Sequence, residues 1–196
     1  AEVICSTEIE TLKIIPSRVD LTGAEIELVS REKREKILKT ALNGVIEEYE
    51  FVVIDCPPSL GLLTLNALAV SSSVLIPMQC EYYALQGLSH LLKTLKLVKK
   101  SINPDLKVEG ILLTMMDSRT LLATQVKDQV QKYFSDFLLK TIIPRNVRLS
   151  EAPSHGKPIM LYAGRSRGAD AYVELAKEII LRSKTDERTL LTSTAV

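Results

Sequence analysis

The sequence predicts an α/β fold: an open, mostly parallel β-sheet with helices on both of its faces. Two observations predict it. Short apolar runs alternate along the chain with longer segments of helical spacing, as in successive strand–helix–strand units. Most of the short runs also lack regular polar alternation, which is typical of strands buried on both faces. We expect a single α/β domain over residues 1–182 and a polar, frayed tail over residues 183–196.

Five apolar runs have the length of a strand. They are Leu12–Ile15, Phe51–Ile54, Val74–Met78, Val108–Thr114 and Leu138–Ile143. Apolar residues spaced by three and four positions predict helices between and after these runs. The predicted helices fall within residues 37–46, 62–71, 88–98, 122–134 and 172–180.

Polar side chains follow the ends of four of the predicted strands. Asp55 follows the second run, and Glu81, Asp117 and Arg145 follow the next three. In doubly wound parallel sheets, ligands bind in the crevice outside the carboxyl ends of the strands. The sequence therefore predicts a ligand site at this edge of the sheet.

The composition excludes several classes of protein. Hydrophobic residues make up 46% of the 196, which is enough for a core, and the formal net charge is only +1, unlike that of a histone-like protein. The three cysteines form no C-x-x-C pair, so we expect a reducing cytoplasm rather than a disulfide framework. No run approaches the roughly 20 apolar residues of a membrane span. The cysteines and histidines also lack metal-ligand spacing.

The segment Phe51–Asp55 is an apolar run that ends in an aspartate. This is the Walker B arrangement, in which the carboxylate reaches Mg²⁺ directly or through a bound water. Many buried strands, however, end in aspartate because that side chain caps the following helix. On this segment alone both interpretations stay open.

Four longer blocks extend the pattern and occur in the order of a known family. They are Asp55–Leu68, Pro77–Gly87, Thr114–Thr120 and Ile143–Pro158. Together they resemble the ParA/Soj family of chromosome- and plasmid-partitioning ATPases, which belongs with MinD to the deviant Walker group. The resemblance covers roughly residues 10–182. It implies a P-loop NTPase fold of the deviant Walker type.

The resemblance also implies roles for individual residues. Asp55 resembles the residue that holds the water on Mg²⁺, and Glu81 resembles one near the dimer interface and the partner's nucleotide. Switch II would include Pro57, Pro58 and Gly61. The walls that contact adenine and ribose would include Thr114, Met115, Pro144, Arg145 and Asn146.

One defining feature of the family is absent from the sequence. No G-x-x-x-x-G-K-S/T loop occurs, and the only Gly-Lys pair, Gly156-Lys157, is followed by Pro158. Such a loop holds the nucleotide's phosphates with its amides and lysine. We therefore expect an N-terminally truncated chain without the first strand, the P-loop and the switch I aspartate. Members of the family are ATPases, but tight ATP binding and hydrolysis are not expected of this chain.

A basic segment runs from Arg145 to Arg167, with five basic residues, one acidic residue and a local charge of +4. Such a patch is the electrostatic footprint of phosphate-backbone binding, although a solvated loop surface would have the same composition. By resemblance, Arg119 and Arg148 occupy positions of DNA-binding arginines. The basic segment and the resemblance together predict non-specific contact with DNA. The residues concerned are Arg119, Arg148, Lys157, Arg165 and Arg167.

The resemblance implies a complete function for the full-length protein. It would bind Mg-ATP, form a nucleotide-dependent homodimer, bind non-specific double-stranded DNA and act with a ParB/Spo0J-type partner. We expect it in the cytoplasm, on the nucleoid of a bacterium or archaeon, with no membrane partner. Two alternatives stay open. One is a MinD-like positioning ATPase, although the mixed charge of residues 184–196 disfavours its amphipathic helix. The other is a non-catalytic ParA remnant that binds only DNA or a partner.

Overall fold

The computed structural model describes residues 3–57 and 59–193. The chain divides into two compact units. The first consists of the residues up to Ser72 together with Leu95–Leu106, and the second of Ser73–Thr94 together with the residues from Lys107 onward. The prediction of a single domain over residues 1–182 stays a prediction.

The first unit begins with a short antiparallel hairpin. Strand β1 is Cys5–Ser6 and strand β2 is Lys13–Ile14, and both are exposed. The hydroxyl of Thr7 stabilises the connection, because it donates to backbone carbonyls and accepts a bond from the amide of Ile9. The prediction of a buried parallel strand over Leu12–Ile15 is therefore wrong. The run is too short and too polar to be covered on both faces.

Three helices follow in the first unit. They are α1 (Leu21–Leu28), α2 (Ile37–Ala41) and α3 (Leu62–Val70), with 3-10 turns at Arg34–Lys36 and Ile46–Glu48. Helix α3 agrees with the prediction over residues 62–71. Helix α2 is shorter than the predicted 37–46, since the turn-forming pair Asn43-Gly44 follows it.

Asn66 fixes α3 to the residues before α2. Its buried side-chain amide donates to the carbonyls of Arg34 at 2.7 Å and Leu62 at 2.8 Å. Its side-chain oxygen accepts from the backbone N–H of Leu38 at 3.0 Å. Asn66 thus satisfies backbone groups that a buried connection would otherwise leave without partners.

The run Phe51–Ile54 forms no β-strand, so this prediction is wrong. The side chain of Val53 is 91% exposed, and Phe51 and Val52 are also exposed. An apolar run becomes a strand only when a neighbouring strand pairs with its amides and carbonyls. Within residues 3–57 and 59–193 no strand pairs with this segment.

The second unit contains a three-stranded parallel sheet in the order β3-β4-β5. Its strands are β3 (Ser73–Gln79), β4 (Lys107–Met116) and β5 (Leu138–Pro144), in agreement with the last three predicted strands. The successive residues Leu112 and Leu113 of β4 are both buried. Since successive side chains point to opposite faces of a sheet, both faces of β4 are covered. The predicted α/β class and its parallel sheet are confirmed.

Helices connect and follow these strands. Helix α4 (Ala84–Ser101) begins in the second unit, and its part from Leu95 belongs to the first. The others are α5 (Leu121–Phe134), α6 (Val147–Glu151), α7 (Ile159–Ala163) and α8 (Arg167–Ser193), with a 3-10 turn at Ala152–His155. Helices α4, α5 and α8 confirm the predicted helices within residues 88–98, 122–134 and 172–180. The tail expected to be frayed from residue 183 is helical as far as Ser193, and residues 194–196 lie outside the described part.

Helix α8 packs on β5 through a cluster of buried residues and covers the edge of that strand. The cluster is Leu112, Leu139, Ile143 and Leu175. The Glu178 carboxylate accepts hydrogen bonds from the amides of Lys140 and Thr141, both at 2.9 Å. Burial by itself would raise the pKa of Glu178, but these bonds and the Arg182 charge lower it. A carboxylate from α8 therefore occupies the free amides of an edge strand.

None of the helices in residues 3–57 and 59–193 combines the length and the hydropathy that crossing a bilayer requires.

Candidate nucleotide and nucleic-acid sites

A cavity of about 450 Å³ lies at the carboxyl ends of the three parallel strands. It is lined by Gln79, Cys80, Glu81, Met115, Asp117, Thr120, Leu122, Ala123 and Arg145. The volume falls within the range of small-molecule sites. Four apolar residues and five polar or charged residues line it, at the edge where parallel sheets bind ligands.

Two lining residues have unusual local states. Met115 adopts the left-handed backbone conformation, with φ of 50°. In a residue other than glycine, this conformation costs on the order of 1 kcal/mol and is concentrated at functional sites. The Cys80 thiol is buried, which raises its pKa, so it lines the cavity as a neutral group.

Hydrogen bonds fix the loop between β4 and α5. The amide and hydroxyl of Thr120 donate to the Asp117 carbonyl at 3.1 and 3.0 Å. The amide of Arg145 donates to the Met116 carbonyl at 3.0 Å, which places the start of the β5–α6 connection beside this loop. The two connections therefore form one continuous wall.

The sequence anticipated part of this cavity. Met115 and Arg145 line it, as does Glu81. Thr114 and Pro144 lie at strand ends beside lining residues, and their predicted base contacts stay predictions. The side chain of Asn146 caps α6 by accepting from the Arg148 amide at 2.9 Å, and its contact with a nucleotide also stays a prediction.

Sequence reasoning missed several lining residues as site residues. They are Gln79, Cys80, Thr120, Leu122 and Ala123, whereas Asp117 was expected at a strand end. The first two end or directly follow the apolar run of β3, so the position of the strand end was the available signal. The last three lie at the start of α5, where only the course of the chain brings them to the cavity.

Asp117 and Arg119 form a two-pronged ion pair at the rim of the cavity. The Arg119 Nε donates to Oδ1 at 2.9 Å, and Nη2 donates to Oδ2 at 2.7 Å. The Arg119 amide adds a bond to Oδ1 at 3.1 Å. These hydrogen bonds, with the charges of Arg119 and Arg145, lower the pKa of Asp117 from 3.8 to about 2. Arg119 itself is 85% exposed.

Replacing Arg119 with alanine is expected to raise the pKa of Asp117 from about 2 towards 3.8, because the side-chain hydrogen bonds from Arg119 are the largest cause of the shift. The native pKa lies below the unfolded one, so this pair stabilises the fold above about pH 4 and the stabilisation is lost as the pH falls towards 2. NMR titration of the Asp117 carboxyl carbon measures both values. An unchanged midpoint in the variant would show that Arg119 does not hold the carboxylate.

The first unit contains the residues predicted to form the Walker B and switch II segments. Asp55 and Pro57 are exposed, and Pro58 lies outside the described residues. Gly61 is the N-cap residue of α3, and the Glu25 carboxylate occupies the space that a side chain at Gly61 would need. Among residues 3–57 and 59–193 no cluster of three or more acidic, histidine or cysteine side chains could hold a metal ion.

The five predicted DNA-contact residues are all exposed, and we call them the basic surface: Arg119, Arg148, Lys157, Arg165 and Arg167. Four of them lie on α6, at the start of α8 and in the connections on either side of α7, in a region that packs around Ala152, Ile159 and Ala169. The left-handed conformation of Gly156, with φ of 60°, turns the chain immediately before Lys157. A small helical cluster therefore supports most of the basic surface.

Arg148 belongs to a hydrogen-bonded group on this cluster. Its Nη1 donates to Glu151 Oε2 at 2.8 Å, and the Tyr162 hydroxyl donates to the same oxygen at 3.1 Å. The His155 ring stacks on Tyr162 with 4.8 Å between centroids. The bonds from Arg148 and Tyr162 lower the pKa of Glu151, which keeps this carboxylate ionised.

Comparison with known proteins identifies relatives that match most of the chain. A family model described as an AAA domain matches residues 1–108. The chain is 61% identical over 178 residues to the sporulation initiation inhibitor protein Soj of Bacillus subtilis (strain 168), which covers 91% of this chain and 70% of Soj. It is 56% identical over 181 residues to the chromosome partitioning protein ParA of Myxococcus xanthus (strain DK1622), covering 92% and 64% of the two chains. It thus spans about two thirds of these relatives.

A solved structure shares the fold. Cobyrinic acid a,c-diamide synthase from Mycobacterium smegmatis, with bound ADP and magnesium, superposes with a TM-score of 0.77 and 36% identity. The match covers 94% of this chain and 68% of that one. Since the partitioning proteins are the more identical relatives, they carry the stronger indication of function.

Proposed function

This chain belongs to the ParA/Soj family of chromosome-partitioning ATPases, and from that membership we propose that it binds an adenine nucleotide and non-specific DNA during partitioning. The observation that carries the proposal is the pairing of two features in the second unit. One is the cavity at the strand ends, and the other is the basic surface. The Asp117–Arg119 pair belongs to both, since Asp117 lines the cavity and Arg119 belongs to the basic surface.

The cavity accepts the base and ribose of the nucleotide. Met115 and Leu122 supply apolar surface for a planar ring, while Gln79, Thr120 and Arg145 supply hydrogen-bonding groups. The triphosphate is a different case, because the 196 residues contain no glycine-rich phosphate loop. Adenosine and ATP are therefore expected to bind this chain with similar, weak affinity in an NMR titration. Saturable, Mg²⁺-dependent ATP binding at micromolar concentration would contradict this assignment.

Asp55 is proposed to hold a water on the magnesium ion of Mg-ATP. Mg²⁺ is typically held by one or two carboxylates together with phosphate oxygens and waters, so a single exposed aspartate fits this role but makes no site of its own. Pro57, Pro58 and Gly61 are proposed to form switch II after it. The ion neutralises charge on the phosphates when bound.

Replacing Asp55 with alanine is expected to lower Mg²⁺-dependent ATP hydrolysis by about one to two orders of magnitude, in a chain that also carries the phosphate loop. Phosphate release measured over a range of Mg²⁺ concentrations tests this. Asp20→Ala provides a control for loss of another exposed aspartate. Full activity in Asp55→Ala would remove the Walker B assignment.

The basic surface is proposed to bind the phosphate backbone of double-stranded DNA without reading its sequence. All five side chains are exposed cations in a chain whose net charge is only +1, so the binding would be local and sensitive to salt. Anisotropy of a labelled duplex, measured with increasing salt, tests this directly.

We further propose the partners that the family implies: a second copy of the chain in a nucleotide-dependent dimer, with Glu81 near its interface, and a ParB/Spo0J-type protein. Nucleoid association would follow from DNA binding. Light scattering with and without Mg-ATP, using a chain with the phosphate loop, tests the dimer. A monomer under both conditions would exclude it.

A further inference from the structure

We propose that two carboxylates, Asp117 and Glu151, compete with DNA phosphates for the arginines of the basic surface and so set DNA affinity below what the arginines alone would give. The inference rests on the proposed DNA-binding function. It concerns residues that the sequence assigned to no role in that function.

The first pair is Arg119 with Asp117. Two side-chain N–H groups of Arg119 point at the carboxylate, at 2.9 and 2.7 Å. A guanidinium has five N–H donors, so this bidentate contact occupies the face best suited to a phosphate. The Asp117 side chain is only 21% exposed and also accepts from the Arg119 amide, so it is fixed in place. The arginine, not the aspartate, must therefore move to reach DNA.

The second pair is Arg148 with Glu151. The Arg148 Nη1 donates to Glu151 Oε2 at 2.8 Å, and Tyr162 donates to the same oxygen at 3.1 Å. Tyr162 is in turn stacked on His155. The hydrogen bond from Tyr162 therefore holds Glu151 beside Arg148 from a second direction.

These pairs distinguish two members of the basic surface from the other three. Across the described ranges, Lys157, Arg165 and Arg167 form no ion pair with an acidic side chain, whereas Arg119 and Arg148 each do. The two paired arginines are also the ones that the resemblance to the family assigns to DNA binding. The carboxylates are thus associated with the cations expected to contribute most to DNA binding.

A carboxylate in this position opposes DNA binding in either of two ways. If the arginine turns to a phosphate, the carboxylate loses its partner and must take up a cation from solution. If the arginine keeps both partners, the carboxylate lies close to the phosphate and repels it. Both reduce the net release of counterions that drives binding. A purely positioning role predicts the opposite, since losing the carboxylate would leave a more mobile arginine and weaker binding.

The variants Asp117→Asn and Glu151→Gln test the inference, singly and together. They remove the charge but keep the shape, and the amide oxygen introduced by Glu151→Gln can still accept from Tyr162. The matched control is Glu174→Gln. Glu174 pairs with Lys177 at 2.8 Å and i,i+3 spacing, the same geometry as Arg148–Glu151, but lies on α8 outside the basic surface.

The measurement is anisotropy of a labelled duplex over a salt series, with circular dichroism as a check on folding. Each single variant is expected to bind DNA about three- to tenfold more tightly at low salt, and the control by less than about twofold. The plot of log affinity against log salt is expected to steepen by up to about 0.9 for each arginine freed. The double variant should show both changes together.

Two results would overturn the inference while leaving DNA binding intact. One is weaker binding with an unchanged salt slope, which would make the carboxylates positioning groups. The other is unchanged affinity and slope, which would make them irrelevant to DNA. If neither the folded wild-type chain nor the folded double variant binds DNA, the proposed DNA-binding function fails, and the inference fails with it.

Discussion

The Arg148→Glu variant is expected to bind DNA about 10- to 100-fold more weakly than the wild-type chain at low salt. The change removes a phosphate contact and places a negative charge where a phosphate would lie. It also places that charge beside Glu151, whose oxygen accepts from Arg148 in the wild type. The side chain of Arg148 is 59% exposed, so the fold should tolerate the change.

The salt dependence makes this prediction specific to Arg148. The slope of log affinity against log salt should become shallower by up to about 0.9, because one fewer phosphate is neutralised and Glu151 offsets part of that contact in the wild type. Lys177→Glu on α8 is a suitable control. It lies ten residues from Arg167, about 15 Å along the helix and beyond the Debye length of about 10 Å at 0.1 M salt. If the salt slope of Arg148→Glu equals that of the wild type, Arg148 is excluded from the DNA interface.

The Leu113→Ala variant is expected to lower the free energy of unfolding by about 2–5 kcal/mol. Leu113 lies in β4, between the two other strands of the sheet, and its side chain is 0% exposed. Truncation loses the transfer free energy of the removed carbons and leaves a cavity that the surrounding structure fills only in part.

Urea denaturation measures the loss as a shift in the midpoint at constant slope. Leu121→Ala is the matched control, because Leu121 is 73% exposed at the start of α5 and its truncation should change stability by less than about 0.5 kcal/mol. Equal stability of the Leu113 variant and the wild type would show that β4 is not the centre of the core.

Local patterns were sufficient to predict the three strands of the second unit and its helices α4, α5 and α8, but not the short helices α6 and α7. Strands β3 to β5 are runs apolar on both faces, and α5 has buried residues at the spacing of a single helix face. The run Phe51–Ile54 has the same apolar character but forms no strand. Strand formation depends on a neighbouring strand to pair with, and the sequence of the run does not show whether such a strand is present.

The candidate sites were predictable to a similar extent. Strand ends pointed to Glu81, Asp117 and Arg145, and the resemblance pointed to Met115; all four line the cavity. The ion pairs of Asp117 and Glu151 were not predictable, because they depend on which rotamers the loops allow. The anchoring role of Asn66 was also not predictable, because its partners lie up to 32 residues away in the chain.

The most direct test of the central claim is the affinity of the wild-type chain for two duplexes of equal length and unrelated sequence, measured from low to high salt. We predict equal affinities for the two duplexes and a linear fall of log affinity with log salt. The slope should reach at least about −2.7, as expected when Lys157, Arg165 and Arg167 each neutralise a phosphate. No binding at low salt, or a clear preference for one sequence, would contradict the account.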